Sequence, residues 1–151
     1  MNATPIRTRD IDRNDSHTQH AALCWRRQCG GVEVLLITSR DTRRWVIPKG
    51  WPMEGRTGYE AAAVEAWEEA GVEGRVTPVC IGNYSYLKDR STDLPCTVEV
   101  YPVEVRALAR EFPERAERRR RWMSPVKAAG MVEEPELRAL IAGFDPAAVR
   151  A

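Results

Sequence analysis

Residues 50–72 read GWPMEGRTGYEAAAVEAWEEAGV, and the second half of this stretch predicts a helix with defined ends. Thr57 is followed three residues later by Glu60. This spacing is a capping box, in which each side chain bonds the backbone N–H of the other residue. Gly71 follows the last periodic residue and predicts a left-handed stop. The sequence therefore predicts one helix that begins after Thr57 and ends before Gly71.

The predicted helix carries an acidic ridge. Glu65, Glu68 and Glu69 lie together because positions i, i+3 and i+4 are neighbours on a helix surface. Each like-charged pair costs roughly 0.2–0.5 kcal/mol, and no Lys or Arg lies between residues 58 and 70. The ridge is either a solvated acidic face or a site for a divalent cation, since Mg²⁺ binds carboxylates together with water and substrate phosphates. The opposite side is expected to pack, and it carries Tyr59, Ala63, Ala66, Trp67 and Ala70.

This stretch resembles the box of the Nudix hydrolase family. The box reads G, five residues, E, seven residues, then R-E-U-x-E-E-x-G-U, where U is aliphatic. Two positions depart from it: Arg56 stands where the first Glu belongs, and Val64 stands where an Arg belongs that commonly positions the acidic residues. The departures remove charged support and leave the glutamates in place. The positions that match in register are Gly50, Glu65, Ala66, Glu68, Glu69, Gly71 and Val72.

The resemblance implies a fold and a chemistry. The fold is an α/β protein, the Nudix α/β/α sandwich with a mixed β-sheet between helices. The activity is metal-dependent cleavage of a phosphoanhydride bond with Mg²⁺ or Mn²⁺ as cofactor. By this likeness Glu65, Glu68 and Glu69 are the catalytic and metal-binding side chains, and the backbone carbonyl of Lys49 is a further metal ligand. Which carboxylate acts as the general base stays open.

A basic segment precedes the box. Its W-x-x-P-K-G looks like Nudix hydrolases of diadenosine polyphosphates, and the wider run LLITSRDTRRWVIPKG, residues 35–50, looks like the diphosphoinositol polyphosphate phosphohydrolases. That likeness implies that Thr38, Ser39 and Arg40 line a polyphosphate site and that the Lys49 ammonium contacts phosphate. Arg44 belongs to the same loop, and arginines bind phosphate through two parallel hydrogen bonds. A solvated loop is the alternative interpretation.

A second charged segment, EFPERAERRRRWM, occupies residues 111–123. Glu117 is a candidate for the additional acidic residue that Nudix proteins often supply here, and a solvated charge is the alternative. Arg119 or Arg120 is a candidate for contact with substrate phosphates, and Arg120 is the preferred one. The basic run at 118–121 is short, is preceded by acidic residues and lacks interleaved aromatic residues, so nucleic acid is an unlikely partner. Trp122 is expected in the core.

The remaining elements follow from hydrophobic periodicity and turn residues. Strands are predicted at 21–25, 31–38 and 97–105, with a short apolar stretch at 45–47, a strand region at 76–86 and a polar loop at 88–94. Pro102 predicts an edge strand or a bulge. One short helix is expected from Ser124-Pro125 to Gly130, and another from Pro135 with an apolar stripe. That stripe comprises Leu137, Leu140, Ile141 and Phe144.

Composition limits the class of protein. The chain has 151 residues with 43% hydrophobic and 30% charged, which is typical of one soluble globular domain. We expect a flexible tail at residues 1–18, including an exposed His17, and a single Nudix domain at 19–151, in which His20 is also exposed. A net charge of +1 and the lack of a long apolar run favour a cytoplasmic protein without membrane partners. Four cysteines without C-x-x-C spacing predict buried, reduced thiols.

The functional prediction is therefore a pyrophosphohydrolase for a small-molecule polyphosphate, either a (di)nucleoside polyphosphate or a diphosphoinositol-polyphosphate-like compound. Arg56 and Val64 motivate an alternative, a Nudix-fold ligand-binding or regulatory module with weakened catalysis. A hydrolase that processes RNA ends is a third interpretation, because it shares the chemistry and differs in substrate. A monomer and a homodimer are both compatible with the sequence.

Overall fold

A computed structural model of the chain describes residues 17–87 and 95–149. The strands in these ranges are β1 Thr18–Gln28, β2 Gly31–Thr38, β3 Trp45–Val46, β4 Lys49–Gly50, β5 Val72–Val76, β6 Gly82–Leu87, β7 Pro95–Leu108 and β8 Arg120–Met123. The α-helices are α1 Gly58–Ala70, α2 Pro125–Met131 and α3 Pro135–Ala142, and short 3₁₀ turns cover Arg115–Glu117 and Pro146–Ala148. The predicted tail, residues 1–18, lies outside the described residues except for its last two, and Thr18 already belongs to β1. The predicted loop at 88–94 also lies outside them.

The strands form one mixed sheet. Its central order is β3-β2-β1-β7-β5, while β4 pairs with β1, β6 with β7 and β8 with β2. β1 and β7 run parallel, from Thr18 opposite Thr97 to Trp25 opposite Glu104, and the other pairs are antiparallel. Parallel neighbours need a crossover connection, and α1 lies on the connection between these two strands. The predicted α/β class with a mixed sheet is confirmed.

Two apolar layers lie on opposite faces of this sheet because successive strand residues point to opposite sides. In β1, Leu23 belongs to the layer that α2 and α3 cover, whereas Cys24 belongs to the layer that α1 covers. The first layer includes Ala128, Ala129, Leu137 and Ile141, with Leu140 and Phe144 packed at its margin. The second includes Ala62, Ala66 and Ala70, with Trp122 at its margin. The chain therefore has the predicted helix–sheet–helix sandwich.

Three local predictions are wrong. Pro102 lies inside the central strand β7, opposite Leu23 of β1. Its carbonyl accepts a hydrogen bond from the Thr77 N–H at 2.9 Å, in the interval between the partners β6 and β5, so the missing N–H of proline breaks no strand ladder. His20 is mostly buried, with 13% of its side chain exposed, because the β1 register places it beside Glu99.

The third wrong prediction concerns the cysteines. All four are free thiols, but only Cys24 and Cys96 are buried, whereas Cys29 and Cys80 are exposed. Cys29 lies in the tight turn between β1 and β2 with a φ of 52°, so its exposure follows from the turn.

Among the described helices, none has both the length and the apolar composition that crossing a bilayer requires.

Candidate active site

Helix α1 has the ends that the sequence predicts. Thr57 Oγ1 accepts a hydrogen bond from the Glu60 N–H at 3.2 Å, and Glu60 Oε1 accepts one from the Thr57 N–H at 2.8 Å. Gly71 has a φ of 68°, and its N–H donates to the carbonyl oxygens of Ala66 and Trp67. A glycine adopts this left-handed conformation without the penalty of a β-carbon. Both ends of the helix are thereby fixed around the glutamates.

The acidic ridge is not opposite the packed face of α1 but overlaps it. The buried residues of the helix are Ala61, Ala62, Ala66, Glu69 and Ala70. At 100° per residue Glu69 lies between Glu65 and Ala62, so packing the alanine stripe against the sheet buries this glutamate too. Tyr59, Ala63 and Trp67, which were expected on the packed side, are only partly buried. The expected opposition of an acidic and a packed face is therefore wrong at Glu69.

A polar cleft of about 560 Å³ opens above this ridge. It brings together six of the nine predicted site residues: Ser39, Arg40, Lys49, Glu65, Glu68 and Glu69. The wall is completed by residues from β1, the loop after β2, β3, the 50–53 segment, β6 and the segment after β7. These are Gln19, Asp41, Val46, Gly50, Trp51, Pro52, Met53, Tyr86, Glu114 and Arg118.

Glu65 and Glu69 form a carboxyl pair in the cleft. Their carboxyl groups are close enough for each to shift the pKa of the other. Burial, and then the charge of Glu69, raise the pKa of Glu65 to about 8. Burial also raises the pKa of Glu69, although the Arg118 guanidinium opposes the shift. A proton or a bound cation would therefore stabilise the pair.

Residues 49 and 50 hold the pair from the opposite wall. The Lys49 N–H donates to Glu69 Oε1 at 3.3 Å. The Glu65 carboxylate occupies the space beside Gly50 where a β-carbon would lie, so a larger residue there would displace it. Strand β4, which pairs with β1 through Gly50 opposite His20, fixes this backbone. The glycine of the box thus makes room for the first glutamate of the ridge.

The donor set fits a hard divalent cation. No three acidic, histidine or cysteine side chains of the described residues converge into a ready-made metal cage. Glu68 also lines the cleft, but Glu69 affects the pKa of Glu65 more strongly than Glu68 does. Mg²⁺ commonly uses one or two carboxylates and completes its octahedron with water and substrate phosphates. Two carboxylates facing an open polar cleft satisfy that requirement.

Lys49 places a cation on the wall of the same cleft. Its Nζ lies 4.9 Å from the centroid of the Tyr86 ring, within the range of a cation–π contact. Tyr86 is held in turn by a hydrogen bond from its hydroxyl to Gln19 Oε1 at 2.6 Å. Burial lowers the pKa of Lys49, and the charge of Glu69 opposes this shift. This arrangement suits a partly desolvated phosphate contact.

Arg118 and Glu114 are cleft residues that the sequence interpretation missed. The Arg118 side chain is 8% exposed, and its Nε donates to Glu114 Oε1 at 2.8 Å. Its Nη1 donates to the Thr38 carbonyl at 3.1 Å, and its Nη2 lies 3.6 Å from Glu69 Oε2. The i,i+4 spacing of Glu114 and Arg118 was visible in the sequence. Four consecutive arginines gave no indication of which one turns inward.

Two predicted substrate-binding arginines have other partners. Arg44 Nη2 pairs with Glu134 Oε2 at 2.9 Å, so this side chain ties the 39–44 loop to the start of α3. Arg120 Nη1 donates to the carbonyls of Ala70 and Ala109 at 2.9 and 3.0 Å, where α1 ends. Neither lines the cleft. The direct phosphate contacts expected of Arg44 and Arg120 are therefore not supported by this geometry.

Thr38 and Glu117 also differ from expectation. Thr38 is buried, and its Oγ1 accepts a hydrogen bond from the Arg119 N–H at 2.9 Å, so it anchors the segment that carries Arg118. Glu117 is exposed outside the cleft and pairs with Arg40 at 3.1 Å. Glu114, three residues earlier, occupies the position in the cleft that was expected of Glu117.

Comparison with known proteins identifies the family of this chain. The NUDIX domain pattern matches residues 17–143. Nudix hydrolase 16, mitochondrial, of Arabidopsis thaliana is 33% identical over 119 residues, which cover 75% of this chain and 66% of that protein. Diphosphoinositol polyphosphate phosphohydrolase 3-beta of Bos taurus is 32% identical over 90 residues, covering 60% and 54%. Across the first three relatives, this chain spans between 50% and 66% of their length.

Solved structures agree on the fold. The C. elegans Ap4A hydrolase binary complex superposes with a TM-score of 0.68 at 21% identity, over 84% of this chain and 98% of that one. A NUDIX hydrolase from Nitrosomonas europaea gives a TM-score of 0.64 at 19% identity, over 83% and 86%. At these identities the likeness concerns the fold alone. Since the domain pattern covers most of the chain, and the glutamates of the box meet in one cleft, the chain belongs to the Nudix family.

Proposed function

We propose that this protein is a metal-dependent Nudix pyrophosphohydrolase that cleaves a phosphoanhydride bond in a (di)nucleoside polyphosphate. The observation that carries the proposal is the Glu65–Glu69 pair, one half-buried and one buried carboxyl group, which faces a polar cleft with Lys49 on its wall. Two neighbouring carboxylates that are partly removed from water are unfavourable without a proton or a cation. A polyphosphate binds together with a divalent ion and is contacted by basic side chains, and this cleft can provide sites for both.

Each cleft residue has a separate role in this proposal. Glu65 and Glu69 hold Mg²⁺ or Mn²⁺, with Glu68 and the Lys49 carbonyl as predicted further ligands. The ion, when bound, neutralises diphosphate charge and activates water. The Lys49 ammonium holds a neighbouring phosphate, and Arg40 contributes positive charge at the rim. The general base is one of the cleft carboxylates, and Glu114 joins Glu65, Glu68 and Glu69 as a candidate.

The cleft favours a nucleotide over an inositol ring that carries many phosphates. Its lining holds five acidic side chains (Asp41, Glu65, Glu68, Glu69 and Glu114) and three basic ones (Arg40, Lys49 and Arg118). Two of the three cations already pair with carboxylates. A highly phosphorylated ring would require more unpaired arginines or lysines, because multiply charged phosphate groups are bound through several basic side chains.

An aromatic side chain at the cleft supports the same choice. Trp51 lines the cleft and is 37% exposed, although large apolar side chains are usually buried. A nucleobase stacks on such a ring, whereas an inositol phosphate offers no comparable flat surface. A diphosphoinositol-polyphosphate-like substrate remains the second candidate, because several relatives carry that activity in their names.

A substrate panel tests the proposal. Phosphate release is measured from diadenosine polyphosphates, ADP-ribose, a diphosphoinositol polyphosphate and capped RNA, with Mg²⁺, with Mn²⁺ and with a chelator. We expect metal-dependent hydrolysis that is fastest with a dinucleoside polyphosphate. Fastest turnover of capped RNA would favour the RNA-end-processing alternative. Tight ligand binding without any turnover would favour the binding or regulatory module.

Two further predictions concern the setting of this activity. The composition supports a cytoplasmic location, and relatives named as mitochondrial support organelle targeting as the alternative. A monomer and a homodimer both remain compatible with the described residues. Fractionation of the source cells and light scattering of the purified protein decide these two points independently of the substrate panel.

A further inference from the structure

The segment after β7 is fastened to the acidic helix at several points. The Ala109 N–H donates to the Gly71 carbonyl at 2.8 Å, and the Glu114 N–H donates to the Glu68 carbonyl at 3.0 Å. Arg118, further along the same segment, reaches into the cleft and lines it. The segment therefore presents one buried guanidinium to the glutamates of α1 from outside their own helix.

Arg118 engages a different protein acceptor through each of its three nitrogens. Nε binds the Glu114 carboxylate, Nη1 binds the Thr38 carbonyl, and Nη2 faces Glu69 Oε2. The planar fork of arginine keeps these three directions fixed relative to one another. The Glu114 and Thr38 contacts therefore determine where the third nitrogen meets Glu69.

Glu69 is consequently held on both oxygens. Oε1 accepts from the Lys49 N–H at 3.3 Å, and Oε2 lies 3.6 Å from Arg118 Nη2. No Lys or Arg of α1 itself contributes, because its sequence between residues 58 and 70 contains none. Val64 stands at the box position where the family resemblance expects a basic residue. The charge that this helix lacks is supplied from the 109–119 segment.

We propose that Arg118 is a positioning residue that orients Glu69, and through it the Glu65–Glu69 pair, for cation binding. The inference rests on the proposed hydrolase function and deepens it, since the departure at Val64 then does not imply a catalytically weakened site. Positioning requires the forked geometry of arginine. Positive charge alone at position 118 is not sufficient.

Two alternative roles of Arg118 predict different results. If Arg118 acted only as a nearby charge, its removal would reduce repulsion of the metal and leave turnover intact, and Arg118→Lys would behave as the wild type. If it bound substrate phosphate, its loss would raise KM and leave metal binding without substrate unchanged. The positioning role predicts a lower kcat, a similar KM and an altered environment of the bound metal.

The test compares Arg118→Lys, Arg118→Gln and the matched control Arg119→Gln with the wild type. Arg119 is the adjacent arginine, is exposed and does not line the cleft. Mn²⁺ alone is titrated by electron paramagnetic resonance, and water-proton relaxation reports how many waters the bound ion keeps. Initial rates on the best substrate of the panel give kcat and KM, and circular dichroism verifies folding.

We expect both Arg118 variants to bind Mn²⁺ with an additional coordinated water and to lose about 10- to 100-fold in kcat at similar KM, the range seen when a residue behind a metal ligand is removed. Arg119→Gln should match the wild type. Unchanged relaxation and kcat in Arg118→Lys, or a rise in KM alone, would overturn the proposal. Arg118→Lys keeps the buried charge, so it stays informative if Arg118→Gln does not fold. A wild type that neither binds Mn²⁺ nor hydrolyses any substrate would instead refute the proposed function.

Discussion

Glu69 connects the packing of the protein to its proposed chemistry. It is 8% exposed, lies among the alanines of the buried face of α1, and accepts a hydrogen bond from the Lys49 backbone. A carboxylate in this position is costly to bury unless it has partners of opposite charge. Its presence here is explained by the cleft that it faces and by Arg118 beside it.

Replacing Glu69 by Gln tests this assignment. We expect metal-dependent turnover to fall by about 100-fold, because the amide cannot supply the charged oxygen that a hard cation requires. The fold should be retained, since the Gln carbonyl can still accept the Lys49 N–H. Steady-state kinetics and thermal unfolding measure the two effects.

Glu60→Gln is the matched control for this variant. It removes the same charge from the same helix, and Gln still completes a capping box. Equal activity of the wild type and Glu69→Gln would remove Glu69 from the site. Equal losses in the two glutamine variants would attribute the effect to the net charge of the helix.

Arg40 and Arg44 lie in the same loop, but their replacement should have different effects. Arg40 lines the cleft and is exposed, so Arg40→Ala should raise KM, and the effect should be larger at low salt because salt screens exposed charges. Arg43→Ala is the control, since Arg43 is exposed in the same loop and does not line the cleft. Arg44→Ala should lower stability and leave KM unchanged, because Arg44 pairs with Glu134. A salt-independent effect of Arg40→Ala on KM would contradict a direct role in phosphate binding.

At the scale of elements, the end of α1 depends on a residue far from it in sequence. Arg120, the first residue of β8, donates to the carbonyls of Ala70 and Ala109 and lies 4.8 Å from the Phe112 ring centroid. The last carbonyls of a helix have no partner within the helix. Arg120 thus ties β8, the end of α1 and the end of β7 together.

Arg120→Ala should therefore destabilise the protein by about 1–3 kcal/mol, since hydrogen bonds from charged groups contribute at this level. KM should stay nearly constant, because the side chain does not line the cleft. Urea denaturation and initial rates measure the two quantities, with exposed Arg121→Ala as the control. A raised KM at unchanged stability would restore the phosphate contact that the sequence suggested.

Local features of these elements could be predicted from the sequence, whereas contacts between distant segments could not. The capping box at Thr57 and the stop at Gly71 are local, so spacing alone predicted them. Pairing of Arg120 with Ala70, of Arg44 with Glu134 and of Arg118 with Glu69 joins segments 50, 90 and 49 positions apart. Residue type and spacing carry no information about such distant partners. The acidic residues of the cleft were therefore predictable, whereas two of the basic candidates, Arg44 and Arg120, have partners outside the cleft and Arg118 was missed.

The packing of both helical layers against the sheet holds the acidic side chains of α1 close together, although they repel one another. The two apolar layers bury α1 on one face of the sheet and α2 and α3 on the other. This packing fixes the Glu65–Glu69 pair in a partly desolvated cleft, although the pair alone opposes folding when both carboxylates are charged. Stability and metal binding should consequently be linked through pH.

The pKa of Glu65 gives the sign of that link. It is about 8 in the fold against an ordinary value of 4.5, so between these values the folded protein binds more protons than the unfolded chain. Stability is then greatest below about pH 4.5 as far as this group is concerned, and its contribution is lost as the pH rises through about 8. In a chelator, the midpoint of thermal unfolding should fall across this window. Mn²⁺ should raise that midpoint most at the alkaline end, where the pair is ionised and free to bind it.

Glu65→Gln provides the control for the whole-molecule prediction, because it removes the titrating group and keeps the shape of the side chain. Its unfolding midpoint should vary less between pH 5 and pH 8, and Mn²⁺ should stabilise it less than the wild type, since a ligand is lost. Differential scanning calorimetry at several pH values, with and without Mn²⁺, measures both effects. An identical pH profile in the wild type and Glu65→Gln would mean that repulsion within the carboxyl pair is relieved by the protein itself. The cation would then not be needed to balance the charge of the ridge.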